Sequence, residues 1–125
     1  MEQTERKPFA LRDESKEFAV RCIRLYQNLT EDAEKREYNL SKQFLMAGTR
    51  IGDAVQQEEW MQAYHFAKSA MYWLELLHDG DYIADDEAES MLQDCEKLVR
   101  YLYVVSHPES RKDNGSTSNE EGGAL

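Results

Sequence analysis

The sequence contains few of the residues that interrupt helices and no segment that would enter a membrane. Its two prolines, Pro8 and Pro108, stand near the ends of the 125-residue chain, and it has only six glycines. No apolar run approaches the roughly 18 residues that a membrane span needs, and the charged N-terminus lacks the apolar segment of a signal peptide. We therefore expect a single cytoplasmic domain with no membrane partner.

Cysteine is also scarce. Cys22 and Cys95 are the only two, and neither belongs to a pairing or metal-binding motif. Two isolated thiols build no disulfide framework. Both fall on apolar helix faces, so we expect them to be reduced and buried in the core.

Positive charge is nearly missing from the middle of the chain. The net charge is −10, and residues 53–96 carry Lys68 alone against twelve acids. Nucleic-acid binding needs clustered cations, so the candidate contacts lie in the first half of the chain: Arg21, Arg24, Lys42 and Arg50. The alternative is an ordinary exposed face, balanced by Glu17, Glu34 and Glu37, and the net charge favours it.

Between the two prolines the apolar residues recur with the helical period of about 3.6 residues, which predicts an all-α protein. The first helix is expected from about Ser15 to Leu29, the second over Leu40–Val55, the third over Glu58–His78, and the fourth from Asp85 to Pro108. Phe18, Ala19, Cys22, Ile23, Leu25, Tyr26 and Leu29 form the predicted core face of the first helix.

Four helices with short links predict an up-down-up-down four-helix bundle. Residues 14–107 form this bundle, residues 1–13 an N-terminal extension and residues 108–125 a disordered C-terminal tail. The tail is polar and rich in glycine, so it cannot bury enough apolar surface to fold.

The second helix contains two glycines four residues apart, Gly48 and Gly52. Each costs about 1 kcal/mol relative to alanine in a helix interior. They share a strip with Ser41 and Leu45, and small residues on one strip let a neighbouring backbone come close. We predict close helix packing at both glycines, within the bundle or between subunits.

The third helix is apolar around nearly its whole circumference, and the core of one small bundle covers only one side of a helix. The remaining apolar surface predicts self-association. The candidate interface residues are Met61, Tyr72, Trp73 and Leu76.

Catalytic and metal-binding motifs are missing. Glu75 and His78 have the Glu-x-x-His spacing of di-iron bundles, but such a site needs a second pair and two further glutamates. The acidic run over residues 79–89 lacks the ligand order of an EF-hand, and no P-loop, dinucleotide or Gly-x-Ser-x-Gly motif occurs. We predict no enzyme activity, no cofactor, no metal and no small-molecule substrate.

Several blocks resemble a known family. EFAVRCIRLY (residues 17–26), LSKQFLMAGTRIG (40–52), YWLELL (72–77) followed by GDYI (80–83), and ESMLQDCEKL (89–98) are similar in content and order to blocks of the bacterial 23S rRNA intervening-sequence proteins. The resemblance covers roughly residues 9–105. It implies a left-handed up-down bundle, a homopentameric ring and no established enzymatic activity, and it makes RNA or a nucleic-acid enzyme a family-level partner.

The chain departs from this family at three places. Asp53 and Ala54 follow Gly52 where the family usually has Ala-Asn, and the link before Trp60 is about three helical turns shorter, which predicts short second and third helices at that end. Ala84 replaces a hydroxyl cap, with Asp85 as its expected substitute. We predict a self-assembling, non-catalytic scaffold or binding module; the alternative is an RNA-associated accessory protein that uses the basic residues of the first two helices.

Overall fold

A computed structural model of the protein describes residues 2–108, with side chains from Ala10 onward. It contains four helices, α1 (Glu2–Glu31), α2 (Asn39–Gln56), α3 (Trp60–Asp79) and α4 (Asp85–Ser106), and no strand within the described residues. The predicted all-α class and four-helix architecture are confirmed. The predicted tail, apart from Pro108, lies outside the described residues.

The first helix is longer than the sequence pattern predicts. It begins at Glu2 rather than at about Ser15, so the predicted extension, residues 1–13, continues the helix from its second residue onward. Leu11 and Ser15 are almost completely buried and continue the buried stripe that includes Phe18. The predicted start was wrong because Ser15, a polar residue at a core position, interrupts the apolar pattern.

A buried carboxylate organises the connection between α1 and α2. Glu37 Oε2 accepts hydrogen bonds from the backbone N–H groups of Asn39 and Leu40, at 3.0 Å each, and Oε1 accepts one from Ser41 at 2.7 Å. These donors lie in the first turn of α2, where a helix offers them no partner. The expectation that Glu37 lies on an exposed face was wrong, since only 9% of the residue is exposed.

The helices form a closed set of neighbours. Each packs against the next in sequence and α4 packs against α1, whereas the backbones of α1 and α3 do not approach each other closely, so these two helices occupy opposite corners. Along the α1–α2 contact Gly48 faces Cys22 and Gly52 faces Ser15, so these helices are antiparallel. The short links over residues 57–59 and 80–84 reverse the chain again. Alternate helices, including α1 and α3, therefore run in the same direction.

The core consists mainly of the predicted apolar stripes. The completely or almost completely buried apolar residues of α2 to α4 are Phe44, Ile51, Ala54, Val55, Ala63, Ala67, Ala70, Leu74, Leu77, Ala88, Met91, Cys95, Leu98 and Leu102. The stripe of α1 departs from prediction at Ile23, which is 42% exposed. The prediction was wrong because it made the core face of α1 too wide; the side chains that meet α2 and α4 follow the narrower stripe of Leu11, Phe18, Cys22, Leu25 and Leu29.

The middle of the core contains small side chains. A Cβ added to Gly48 would overlap Cys22 Sγ, whereas one added to Gly52 would be in ordinary contact with α1, 3.5 Å from its nearest neighbour. On the other side of the core, Cys95 Sγ donates a hydrogen bond to the carbonyl of Ala67 at 3.4 Å. The close approach of α1 and α2 therefore depends on Gly48 more than on Gly52.

The link between α3 and α4 begins where the sequence predicts. Gly80 is the C-cap of α3, but the left-handed residue is Asp81 (φ 68°). Ala84 is the N-cap of α4 without a side-chain cap, and the expected substitute, Asp85, bonds to His78 instead. None of the helices in residues 2–108 has the length and apolar character of a membrane span.

Candidate interaction surface

The outer side of α3 exposes large apolar side chains. Met61 and Tyr72 are 42% and 55% exposed and lie on one line along the helix, since they are eleven residues or about three turns apart. Trp73 and Leu76 are half-buried beside them, and the rings of Tyr72 and Trp73 meet edge to face with centroids 5.4 Å apart. We call these four residues the α3 face. Among the described residues no other helix covers it.

The outer side of α1 carries a second apolar surface that the sequence analysis missed. Val20 and Ile23 are 39% and 42% exposed, and they lie one turn apart on the side of α1 away from the core. We call this pair the α1 face; Lys16, Arg24 and Gln27 are exposed around it. The signal was present in the sequence, because the spacing of Leu11, Phe18, Cys22, Leu25 and Leu29 already fills the core side of the helix.

The candidate nucleic-acid contact Arg21 is engaged within the bundle. Its guanidinium lies 2.5 Å from Asp94 Oδ2 and donates to Ser90 Oγ at 3.1 Å, which joins α1 to α4. Arg21 lies at the surface, away from the core, but its charge is paired with α4 rather than free. Its partner lies 73 positions away in sequence, so helical periodicity could not reveal the pairing.

The other three candidate cations lie on α1 and α2. Arg24 and Lys42 are exposed on α1 and α2. The Arg50 guanidinium carbon lies 6.0 Å from the ring centroid of Phe66 on α3, in cation–π geometry. Arg24, Lys42 and Arg50 are therefore all exposed, but the Arg50 side chain also contacts α3, which leaves Arg24 and Lys42 as the members without a described side-chain contact.

An aromatic cluster joins α3 to the end of α4. The Tyr64 ring lies 5.7 Å from Tyr103 and 5.6 Å from His107, which stacks on Tyr103 at 4.1 Å between centroids. Lys68 Nζ lies 5.6 Å from the centroid of Tyr64. The cluster was not predicted, because its members come from two helices about 40 residues apart. It adds aromatic contacts at the end of the α3–α4 pair.

The opposite end of the bundle is strongly acidic. Residues 75–89 contain seven Asp or Glu and no Lys or Arg. His78 Nε2 lies 2.8 Å from Asp85 Oδ1, and this hydrogen bond raises the pKa of His78 above its usual 6.5. Among the described residues no three His, Cys, Asp or Glu side chains converge as metal ligands. The pair Glu75 and His78 therefore belongs to a helix end joined to α4 by an ion pair.

The two thiols are buried, free and far from the reactive thiolate form. Burial raises the pKa of Cys95 to about 12, and it raises the pKa of Cys22 further. The thiolate is the nucleophilic form of cysteine. Neither residue is therefore suited to nucleophilic chemistry at neutral pH.

A small groove of about 150 Å³ opens between α1 and α4. Phe18 and Leu98 form its buried floor, and its polar lining residues are Glu14, Glu17, Asp94 and Lys97. Lys97 Nζ lies 3.7 Å from Glu14 Oε2. At about 30 Å³ for each water, the groove has room for a few waters or one side chain.

The chain matches no protein-family model and no curated protein. Among solved structures it is similar to a protein of unknown function from the S23 ribosomal protein family of Bacteroides thetaiotaomicron. The two are 32% identical and superpose with a TM-score of 0.76, over 81% of this chain and 95% of that one. The similarity extends over nearly the whole bundle, in sequence as well as in fold.

Proposed function

Because this chain belongs to the S23 ribosomal protein family, we propose that it is a cytoplasmic, non-catalytic four-helix-bundle scaffold whose copies assemble with one another. The bundle is left-handed and the assembly is a homopentameric ring, as the resemblance to 23S rRNA intervening-sequence proteins implies. The α3 face provides the contact surface.

The observation that carries this proposal is the exposure of Met61 and Tyr72 on a helix that its own bundle cannot cover. Burial of apolar surface contributes about 25 cal/mol per Å², so covering two such side chains on each copy stabilises an assembly by a few kcal/mol. A monomer would leave both in water, beside the half-buried Trp73 and Leu76. A second copy removes this surface from water.

The test is the mass of the protein in solution, measured by light scattering over a range of concentrations. We expect a multiple of the chain mass for the wild type and a smaller mass for Tyr72→Glu, which places a charge in the contact. Gln93→Glu is the matched control, because it adds the same charge at an exposed position of α4. A monomeric wild type at all concentrations would refute self-assembly.

The second candidate function is RNA association, supported by the exposure of Arg24 and Lys42. Phosphate contacts make binding weaker as salt rises. We expect RNA retention at low salt to fall with added salt and to be lost in the double variant Arg24→Glu, Lys42→Glu. No retention by the wild type at low salt would dismiss this function. The engagement of Arg21 with Asp94 reduces the cations available and makes this the weaker candidate.

A further inference from the structure

We propose that copies of this chain associate head to tail, with the α3 face of one copy against the α1 face of the next. The inference rests on the proposed self-assembly and names the second surface that it uses. That surface is formed by Val20 and Ile23, on the opposite side of the bundle from Met61 and Tyr72.

The position of the two faces favours unlike rather than like contacts. The faces point away from each other, since α1 and α3 occupy opposite corners of the bundle and each face lies on the side of its helix away from the core. A two-fold dimer would use one face twice and leave the other face of each copy in water. A contact between the two unlike faces covers both on every copy. Such a contact propagates, and it ends only when the copies close into a ring.

The two faces also lie at nearly the same height along the bundle. Gly48 faces Phe18 and Cys22 of α1, and Gly52 faces Ser15, so Arg50 between them is level with about Phe18. The same Arg50 lies over Phe66 of α3.

Counting onward from these two phenylalanines gives the heights of Ile23 and Tyr72 along the bundle. Ile23 and Tyr72 follow Phe18 and Phe66 by five and six residues. The two helices run in the same direction and rise about 1.5 Å per residue, so the two side chains differ by only a few Å in height. Rotation about an axis parallel to the helices therefore brings Ile23 of one copy to Tyr72 of the next without a shift along the bundle.

The charges beside the two faces are complementary at this height. Arg24 is exposed next to Ile23, and Glu75 is exposed one turn beyond Tyr72. Neither has an ion-pair partner among the residues that the structure describes. In the head-to-tail contact Arg24 of one copy reaches Glu75 or the ring of Tyr72 on the next, as an ion pair or a cation–π contact. A contact of α3 against α3 leaves Arg24 on the far side of the bundle, without this pairing.

A mixing experiment tests the arrangement. Ile23→Glu disables the α1 face and leaves the α3 face intact, whereas Tyr72→Glu does the reverse. Each variant alone is expected to remain monomeric at concentrations where the wild type is assembled. An equimolar mixture is expected to form a one-to-one dimer of twice the chain mass, because the intact α3 face of Ile23→Glu can bind the intact α1 face of Tyr72→Glu. Gln93→Glu should behave as the wild type, and circular dichroism verifies that each variant is folded; if a variant is not, Ile23→Gln or Tyr72→Gln replaces it.

The outcomes separate this inference from the proposed self-assembly. If Ile23→Glu assembles as well as the wild type while Tyr72→Glu does not, the contact is α3 against α3 and the head-to-tail arrangement is overturned. The head-to-tail arrangement is also overturned if the mixture stays monomeric or if both variants assemble as the wild type does. A wild type that is itself monomeric overturns the self-assembly instead.

Discussion

Cys22 Sγ lies directly against Gly48 where α1 meets α2, in the space that a Cβ at position 48 would occupy. The helix tolerates a glycine in its interior at this point because the sulfur of the neighbouring helix fills the space. This contact predicts that substitutions of the two glycines of α2 have different effects on stability.

Gly48→Ala is expected to destabilise the fold by about 1–3 kcal/mol, because the new methyl group overpacks the core. Gly52→Ala is expected to stabilise it by about 0.5–1 kcal/mol, since a Cβ fits there and alanine favours the helix. Urea unfolding at one protein concentration measures both. Adding Cys22→Ala to Gly48→Ala removes the clashing sulfur and should recover part of the loss. Equal stability of the two glycine variants would contradict the packing described here.

Glu37→Ala is expected to lower the free energy of unfolding by about 1–3 kcal/mol. The substitution removes the acceptor for the backbone N–H groups of Asn39, Leu40 and Ser41 at the start of α2. Glu34→Ala is the control at an exposed acid of the same connection, where a change within about 0.5 kcal/mol is expected. An equal effect of the two substitutions would exclude the capping role.

The ion pair between His78 and Asp85 predicts a dependence of stability on pH. The hydrogen bond to Asp85 raises the pKa of His78 in the folded state above the unfolded value near 6.5. The stabilisation that the protonated His78 gains from Asp85 is therefore fully present below pH 6.5. It is lost as the pH rises through the pKa of His78 in the folded state. Unfolding measured on both sides of this range should show the loss in the wild type and a smaller one in Asp85→Asn. A pH dependence of stability that Asp85→Asn leaves unchanged would show that the His78–Asp85 pair does not cause it.

The buried thiols are expected to resist modification in the folded protein. Because the pKa of Cys95 is about 12 and that of Cys22 is also raised by burial, almost no thiolate exists near neutral pH. A colorimetric thiol reagent should therefore titrate neither cysteine in buffer and both in concentrated urea. Rapid reaction of either thiol without denaturant would show that the core opens readily.

The parts of the fold that follow from local pattern were predictable. The bounds of α2, α3 and α4 agree with the periodic segments to within a few residues, because apolar stripes, Gly80 and Pro108 mark them clearly. The start of α1 was not predictable in the same way, since Ser15 occupies a core position.

The contacts between distant segments could not be predicted from one sequence. Arg21 finds Asp94 across the bundle, and Glu37 turns inward to cap α2, although each resembles an ordinary exposed charge on its own helix or link. Ile23 was assigned to the core because the width of an apolar stripe does not reveal where its two neighbours lie. Ile23, where the predicted core face of α1 was too wide, is therefore one of the two residues that form the α1 face.

The acidic residues of positions 75–89 concentrate negative charge at one end of the bundle. If the copies stand side by side and parallel, these acid-rich ends gather in a single rim. The two openings of such a ring would differ in electrostatic potential, most strongly at low ionic strength. Polycations would then be drawn more strongly toward the opening formed by these ends, so the assembly would have a front and a back for any charged molecule that approaches it.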